Sequence, residues 1–345
     1  MELPTDTAAI TNQAASIPAP AIAPRRGWLL LKLSIGAALI YYVLHTDRFH
    51  FDQLKNIPPG IFALALASFS VQMFIGTQRL RMLLAPQGIR LNYITVLRLN
   101  YLGAFFDVFM LTAVGGDAVK ALYLARMTPS GRRTAAVSVL VLDRLMGLLG
   151  LLLLTLLVSL WQMDVLWSDA LIRPYMLALA GVSGCLLAGT GLLLSKTFYT
   201  SWIVQTILRK IPLGKIIDTA YASLQNFRNY PWVLFGTLLL SLFAHVFGVL
   251  TGYVLMTGLI APPRPELGPF FVAWLISNFV SSFLPLGGIG GGQLAFGVVF
   301  KTIAGISIGD TLATAIQVTC LVAKSPGLPA WLLSREHTPV TESAG

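Results

Sequence analysis

Long apolar runs, separated by short polar segments, form the dominant pattern along this chain of 345 residues. Several runs reach the ~18 residues that a helix needs to cross a hydrocarbon core of about 30 Å. Apolar residues follow one another without the alternation that marks the strands of a membrane barrel. Because only helices and closed barrels satisfy the backbone in lipid, the pattern predicts an all-α, polytopic transmembrane helical bundle.

The apolar pattern predicts a single integral membrane domain, residues 27–334, with six to eight helical spans. A disordered N-terminal tail, residues 1–26, precedes this domain, and a polar tail, residues 335–345, follows it. The continuous spans are expected at 28–44, 59–78, 134–160, 174–195, 231–257 and 310–333. An amphipathic helix at about 200–229 is expected on the membrane surface, because basic and large apolar residues are mixed there.

Basic residues cluster in the segments between the apolar runs. The chain has 24 Lys and Arg against 14 Asp and Glu, so its net charge is +10. Positive charge between spans sets membrane orientation and contacts anionic headgroups, and we therefore expect no nucleic-acid partner. The basic segments, and with them the N-terminus, are expected in the cytoplasm.

Two apolar segments conflict with a simple series of crossings. The stretches 79–98 and 118–133 are both basic, yet an apolar segment separates them. A re-entrant hairpin, broken at Gly115-Gly116-Asp117, would keep both stretches on one side. The region 267–304, broken by glycines at 287–292, could enter from the other side in the same way. Irregular backbone at membrane depth faces protein or a water-filled cavity, and two glycine-broken segments point to a transporter site.

The alternative is that both glycine clusters are ordinary loops between complete helices. An inverted repeat is not established by the spacing. Gly115 follows Asn100 by 15 residues, whereas Gly287 follows Asn278 by 9, so the two halves align only loosely.

Asp143 and Arg144 are the clearest charged pair within an apolar run, and intramembrane charges are candidates for functional sites. Adjacent helical residues point about 100° apart, so each of the two should find its partner on another element. Gly147 and Gly150 share a face with Asp143 and permit close helix approach. The pair could hold a charged headgroup, or form two interhelical salt bridges, or do both.

The last span carries Asp310, Gln317 and Lys324 at intervals of seven residues, which places them on nearly one face. This stripe could line a path across the bilayer. Alternatively, Asp310 caps the start of the helix and Lys324 extends to the cytoplasmic interface. Pro326 supports the second interpretation for Lys324.

Other polar residues carry weaker signals. Asp117 is expected to cap a short helix, and the amides of Gly115 and Gly116 could meet an anion, although Asp117 would repel it. His245 is expected to be packed and hydrogen-bonded. The chain has no P-loop, no cluster of Cys and His, and no recognisable catalytic triad. We therefore predict no catalytic residues, no metal site and no cofactor.

Two motifs together resemble a known family. Gly115-Gly116-Asp117 is followed by Lys120 and then by an Ala- and Ser-rich helix that carries Asp143-Arg144 and Gly147. Further on, Leu284-Pro285 precedes a glycine-rich turn that ends at Gln293. This combination resembles the family named for the transmembrane region of lysylphosphatidylglycerol synthase, and the resemblance covers about residues 27–334.

The chain departs from that family's pattern at three places. The family usually has an acidic residue at Gln293, often a proline where Thr112-Ala113 stands, and often an arginine at Lys324. The resemblance implies the flippase-like membrane half and not the soluble aminoacyl-transferase domain. The substrate does not carry over.

The leading hypothesis from the resemblance is a lipid flippase in a bacterial cytoplasmic (inner) membrane. It would bind a polar lipid of the phospholipid or polyisoprenoid type. The predicted binding and translocation residues are Gly115, Gly116, Asp117, Asp143, Arg144, Gln293, Asp310, Gln317 and Lys324. The alternatives are a non-catalytic subunit of a lipid or cell-envelope synthesis complex and a membrane-embedded lipid-modifying enzyme. Lipid-synthesis enzymes and a second copy of the chain are further candidate partners.

Overall fold

The computed structural model describes residues 55, 57–109, 115–163, 173–195, 197, 200–201, 214–261, 264–281 and 291–332. Described residues form helices and contain no strand, which confirms the predicted all-α fold. The helices are α1 (Pro59–Leu84), α2 (Tyr93–Phe109), α3 (Gly115–Met127), α4 (Arg133–Trp161), α5 (Arg173–Leu194), α6 (Gly214–Gln225), α7 (Pro231–Leu259), α8 (Leu267–Ser281), α9 (Gly291–Ile303), α10 (Gly309–Lys324) and α11 (Gly327–Leu332). The predictions for the N-terminal tail, the first span, the glycines at 287–290 and the C-terminal tail lie outside these ranges.

Three helices are long and apolar enough to cross a membrane: α1 with its following turn, α4 with its preceding turn, and α7. Helices α4 and α7 each have 29 residues, which gives a length of about 44 Å at 1.5 Å per residue. Pro59 and Pro231 open α1 and α7, where the ring fixes φ and the missing N–H costs nothing. These three helices form the centre of the described bundle.

The structure changes two predicted boundaries. Helix α1 continues to Leu84 rather than ending at residue 78, so Arg79 and Arg81 are helical residues. The predicted span at 310–333 is divided, because α10 ends at Lys324 and α11 begins at Gly327. A proline at position 326 removes a backbone donor and explains why the helix is interrupted there.

One end of the bundle is rich in basic residues, and we call it the basic end. Here Arg132 donates a hydrogen bond to the Gly88 carbonyl (2.9 Å) and Asn226 donates one to the Pro86 carbonyl (2.9 Å). We call the other end of the bundle the opposite end. Here a methyl group on Gly258 would lie 3.2 Å from Ile57, and Gly268 packs against the Gln162 side chain.

The segment between residues 93 and 127 returns to the end from which it starts. Helices α2 and α3 pack against each other, and both the turn before α2 and the turn after α3 lie at the basic end. The backbones approach closely where Gly116 contacts the Gly103 carbonyl oxygen, which a side chain on either residue would obstruct. This is the hairpin geometry that the charge pattern predicts, with residues 110–114 outside the described ranges.

Helices α8 and α9 form a second pair of packed helices, which both starts and finishes at the opposite end. Each pair follows a long helix: α1 precedes the first and α7 precedes the second. Each is followed by a helix that contacts it, α4 for the first and α10 for the second. The bundle thus contains the arrangement α1–α4 and its counterpart α7–α10.

The contacts between these halves occur in matching pairs. Helix α1 packs on its counterpart α7. The contact between α1 and α10 matches the contact between α7 and α4. The contact between α2 and α10 matches the contact between α8 and α4. Because α1 runs from the opposite end to the basic end and α7 runs the other way, the halves are related as an inverted repeat. Inverted repeats in membrane transporters place the substrate site between the halves, at broken helices.

Candidate functional site

A buried ion pair joins the three central helices. Arg79 of α1 donates hydrogen bonds from Nε and Nη2 to the two carboxylate oxygens of Asp143 in α4, at 2.7 and 3.1 Å. Its Nη1 donates to the hydroxyl of Ser241 in α7 at 3.0 Å. The Arg79 and Asp143 side chains are 14% and 12% exposed. A bidentate pair whose third guanidinium nitrogen also donates a hydrogen bond is a geometry suited to holding helices together.

Small residues on α4 make room for this pair, as the sequence predicts. A methyl group on Gly147 would lie 3.2 Å from Arg79 Nη1, and Gly150 packs directly against Ser241. His245 Nε2 lies 2.9 Å from the Gly147 carbonyl oxygen. His245 is therefore a hydrogen-bonded residue between α7 and α4, in agreement with the interpretation from sequence.

Arg144, the next residue in α4, faces a different set of partners. Its Nη1 lies 3.1 Å from Asp117 Oδ2 at the start of α3. Lys120, three residues further along α3, places its Nζ 3.6 Å from Asp117 Oδ1. Side-chain exposure falls from 41% for Arg144 to 26% for Asp117 and 13% for Lys120. We call these three residues the charged site.

The first hairpin holds the charged site in place. Gly115 and Gly116 are buried, and Asp117 lies in the first turn of α3, where a carboxylate is favoured by the helix dipole. The Lys120 side chain packs on Gly103 of α2, so its stem lies between the two helices of the hairpin. Gly116 packs closely on α2, and anion binding by its amide stays a prediction.

Asp107 is a residue of this hairpin that sequence reasoning did not single out. It is half-buried on α2, and a methyl group on Gly116 would lie 3.0 Å from its backbone nitrogen. It forms no ion pair with the residues that the structure describes. The glycine pair eight residues later, together with the hairpin hypothesis, was the only signal that could have drawn attention to it.

A second polar group lies between α9 and α10, and we call it the amide site. Gln293 donates hydrogen bonds to the Thr314 hydroxyl at 3.0 Å and to Gln317 Oε1 at 3.2 Å. Gln293 is the third residue of a 13-residue helix that begins with two glycines, and Asp117 is the third residue of another. In each half this third residue contacts the helix that follows, so the amide site is the neutral counterpart of the charged site.

The structure does not bring the other predicted residues into these groups. Asp310 is exposed at the start of α10, where its carboxylate accepts a hydrogen bond from the Thr311 amide at 2.8 Å. Lys324 lies in the last turn of the same helix. Fourteen residues of helix separate them by about 21 Å, with Gln317 midway. Their line along α10 remains a prediction from the sequence.

The described part of the chain contains no grouping of three His, Cys, Asp or Glu side chains that could hold a metal ion. Cys185 and Cys320 are both unpaired thiols.

Comparison with known families matches most of the chain. The model of the lysylphosphatidylglycerol synthase transmembrane region matches residues 29–321. The chain belongs to this family. No curated protein and no solved structure matches it significantly. Membership confirms the family resemblance that the two motifs suggest and makes the chain an integral membrane protein related to lipid handling.

Proposed function

We propose that this protein moves a polar lipid between the two leaflets of its membrane, with the headgroup held at the charged site. The observation that supports this most directly is the division between two adjacent residues of α4. Asp143 is buried and saturated by Arg79, whereas Arg144 is 41% exposed beside Asp117. An exposed guanidinium can exchange its carboxylate partner for the phosphate of a headgroup, which a saturated buried pair cannot do without losing stability.

The chemistry of the charged site fits a headgroup. A charged or zwitterionic headgroup cannot enter hydrocarbon unless water or opposite charges replace its hydration. Arg144 and Lys120 would face a phosphate, and Asp117 would face an amine or hydroxyl group. Acyl chains need no such path, because they remain in lipid while the headgroup crosses.

The inverted repeat supports movement between two sides. Transporters with this architecture alternate access by shifting one half against the other around a site near the middle of the membrane. Here the amide site offers neutral donors and acceptors in the half that enters from the opposite end. We propose that the headgroup passes between the charged site and the amide site. Asp310 and Lys324, on the face of Gln317, are proposed as flanking contacts.

This proposal makes the protein a transporter and not an enzyme, and it requires no cofactor. The lipid would be of the phospholipid or polyisoprenoid type. We place the protein in a bacterial cytoplasmic membrane with its N-terminus and basic end in the cytoplasm, because basic segments are retained on that side.

Leaflet exchange by the purified protein in liposomes tests the proposal. Lipids with different fluorescent headgroups are offered one at a time, and a membrane-impermeant quencher reports the fraction in the outer leaflet over time. The test variants are Arg144→Ala and Asp117→Asn. Arg228→Ala is the matched control, because Arg228 is an exposed arginine in the turn before α7 at the basic end.

We expect exchange of one headgroup class by the wild type and by Arg228→Ala, and loss of exchange in both test variants. No exchange of any lipid by the folded wild type, with or without an ion gradient, would contradict the proposal. A lipid-synthesis enzyme that co-purifies with such an inactive protein would then favour the role of a membrane subunit.

A further inference from the structure

A cavity of about 840 Å³ lies between α2, α3 and the turn from α10 to α11. This volume is within the usual range for ligand sites in proteins. The cavity includes residues next to the basic end, since Leu91 precedes α2 and Met127 is the last residue of α3. Its lining includes Ile94, Arg98, Leu99, Leu102, Arg126 and Met127.

Two arginines supply the charge of this cavity. Arg98 of α2 and Arg126 of α3 are its only charged lining residues among those that the structure describes. Both side chains are exposed, and neither forms an ion pair with a described carboxylate. The Arg126 guanidinium lies 5.9 Å from the centroid of the Tyr123 ring, a cation–π contact that orients it. Two guanidiniums in one concave site form a receptor for an anion, because each presents several N–H donors.

Most of the remaining lining is apolar. Ile94 and Met127 are exposed apolar residues beside the two arginines, and Leu99 and Leu102 close the cavity from α2. A free inorganic anion would use the arginines and leave this apolar surface unfilled. A molecule with a phosphate at one end and hydrocarbon at the other would contact both parts.

We propose that this cavity binds an anionic phospholipid from the leaflet at the basic end, with its phosphate between Arg98 and Arg126 and its acyl chains along Ile94 and Met127. Basic pockets between membrane helices are suited to such headgroups. A zwitterionic lipid fits less well, because the lining formed by the described residues includes no carboxylate to meet its cationic group. This site is separate from the charged site, and the proposal does not depend on lipid transport.

Native mass spectrometry of the purified full-length protein tests this assignment. The probes are phosphatidic acid and phosphatidylcholine with identical acyl chains, and inorganic phosphate alone. The test variant is Arg98→Gln combined with Arg126→Gln, and the charge-retaining variant is Arg98→Lys with Arg126→Lys. Arg228→Ala controls for the loss of a positive charge elsewhere at the basic end.

We expect wild type and Arg228→Ala to bind phosphatidic acid in preference to phosphatidylcholine. The double glutamine variant should bind phosphatidic acid roughly 25-fold more weakly, since one arginine near an anionic lipid contributes about fivefold. The double lysine variant should retain most of the binding. Equal binding by the glutamine variant and wild type would overturn the proposal. Equal affinity of the wild type for both lipids, or for inorganic phosphate and phosphatidic acid, would also overturn it.

Discussion

Asp143 and Arg144 are adjacent in α4 but belong to different ion pairs: Asp143 bonds to Arg79 of α1 at 2.7 Å, and Arg144 lies 3.1 Å from Asp117 of α3. The helical rotation of about 100° between neighbouring residues separates the two side chains. The first pair is buried among three helices, and the second is partly exposed at a hairpin. The dipeptide therefore forms the two interhelical ion pairs of one interpretation from the sequence, and headgroup binding by Arg144 stays a prediction.

Replacement of these two residues should have different consequences. Asp143→Asn leaves the Arg79 guanidinium buried without a counter-charge, and breaking a buried pair costs about 3–5 kcal/mol. Arg144→Ala removes a partly exposed pair, which contributes about 0–1 kcal/mol. Thermal unfolding in detergent should show a large fall in midpoint for Asp143→Asn and a small one for Arg144→Ala. A large and equal fall in both would contradict the assignment of Arg144 to a binding role.

The pair between Arg79 and Asp143 should be replaceable as a unit. The double variant Arg79→Met with Asp143→Leu removes both charges and fills similar volume with apolar groups, so no buried charge is left alone. We expect the double variant to unfold at a higher temperature than either single variant. In this variant the Ser241 hydroxyl no longer accepts a hydrogen bond from Arg79. It still donates a hydrogen bond to the Thr237 carbonyl at 2.8 Å. A double variant that is less stable than both single variants would indicate a role beyond helix packing.

The sequence predicted most of the helices, because run length and continuity of apolar residues directly reflect the thickness of the membrane. The first hairpin was also predictable. Two basic stretches cannot lie on the same side of the membrane if a single helix crosses the membrane between them. Arg79 was not recognised as an interior residue. A basic residue at the end of an apolar run is normally interfacial, and only the packing of α1 against α4 and α7 shows that it is buried.

The correspondence between the two halves is hidden in the sequence for a different reason. The glycine cluster starts at Gly287, whereas α9 begins at Gly291. From Asn278 to Gly291 is 13 residues, close to the 15 between Asn100 and Gly115. A glycine run does not indicate which of its members starts a helix. The equivalence of Asp117 and Gln293 therefore required the helix bounds.

The contact between Gly103 and Gly116 should be intolerant of added volume. A methyl group from Gly116→Ala would meet the Gly103 carbonyl and the Asp107 backbone, so the two helices would have to separate. Overpacking of this kind costs about 1–3 kcal/mol. Gly181→Ala is the control, because the added methyl would meet nothing within 4 Å on α5 and alanine favours helix. Thermal unfolding should separate the two variants, and equal midpoints would show that α2 and α3 are not closely packed.

The inverted repeat makes a prediction about which residues face each side of the membrane. In a background with Cys185→Ser and Cys320→Ala, single cysteines are placed at exposed positions before and after each hairpin. Arg90→Cys and Ser130→Cys flank the first hairpin, and Glu266→Cys and Ser307→Cys flank the second. A membrane-impermeant maleimide applied to intact cells should label the second pair and spare the first, while lysed cells should label all four. If either hairpin crossed the membrane completely, the two cysteines flanking it would be labelled from opposite sides.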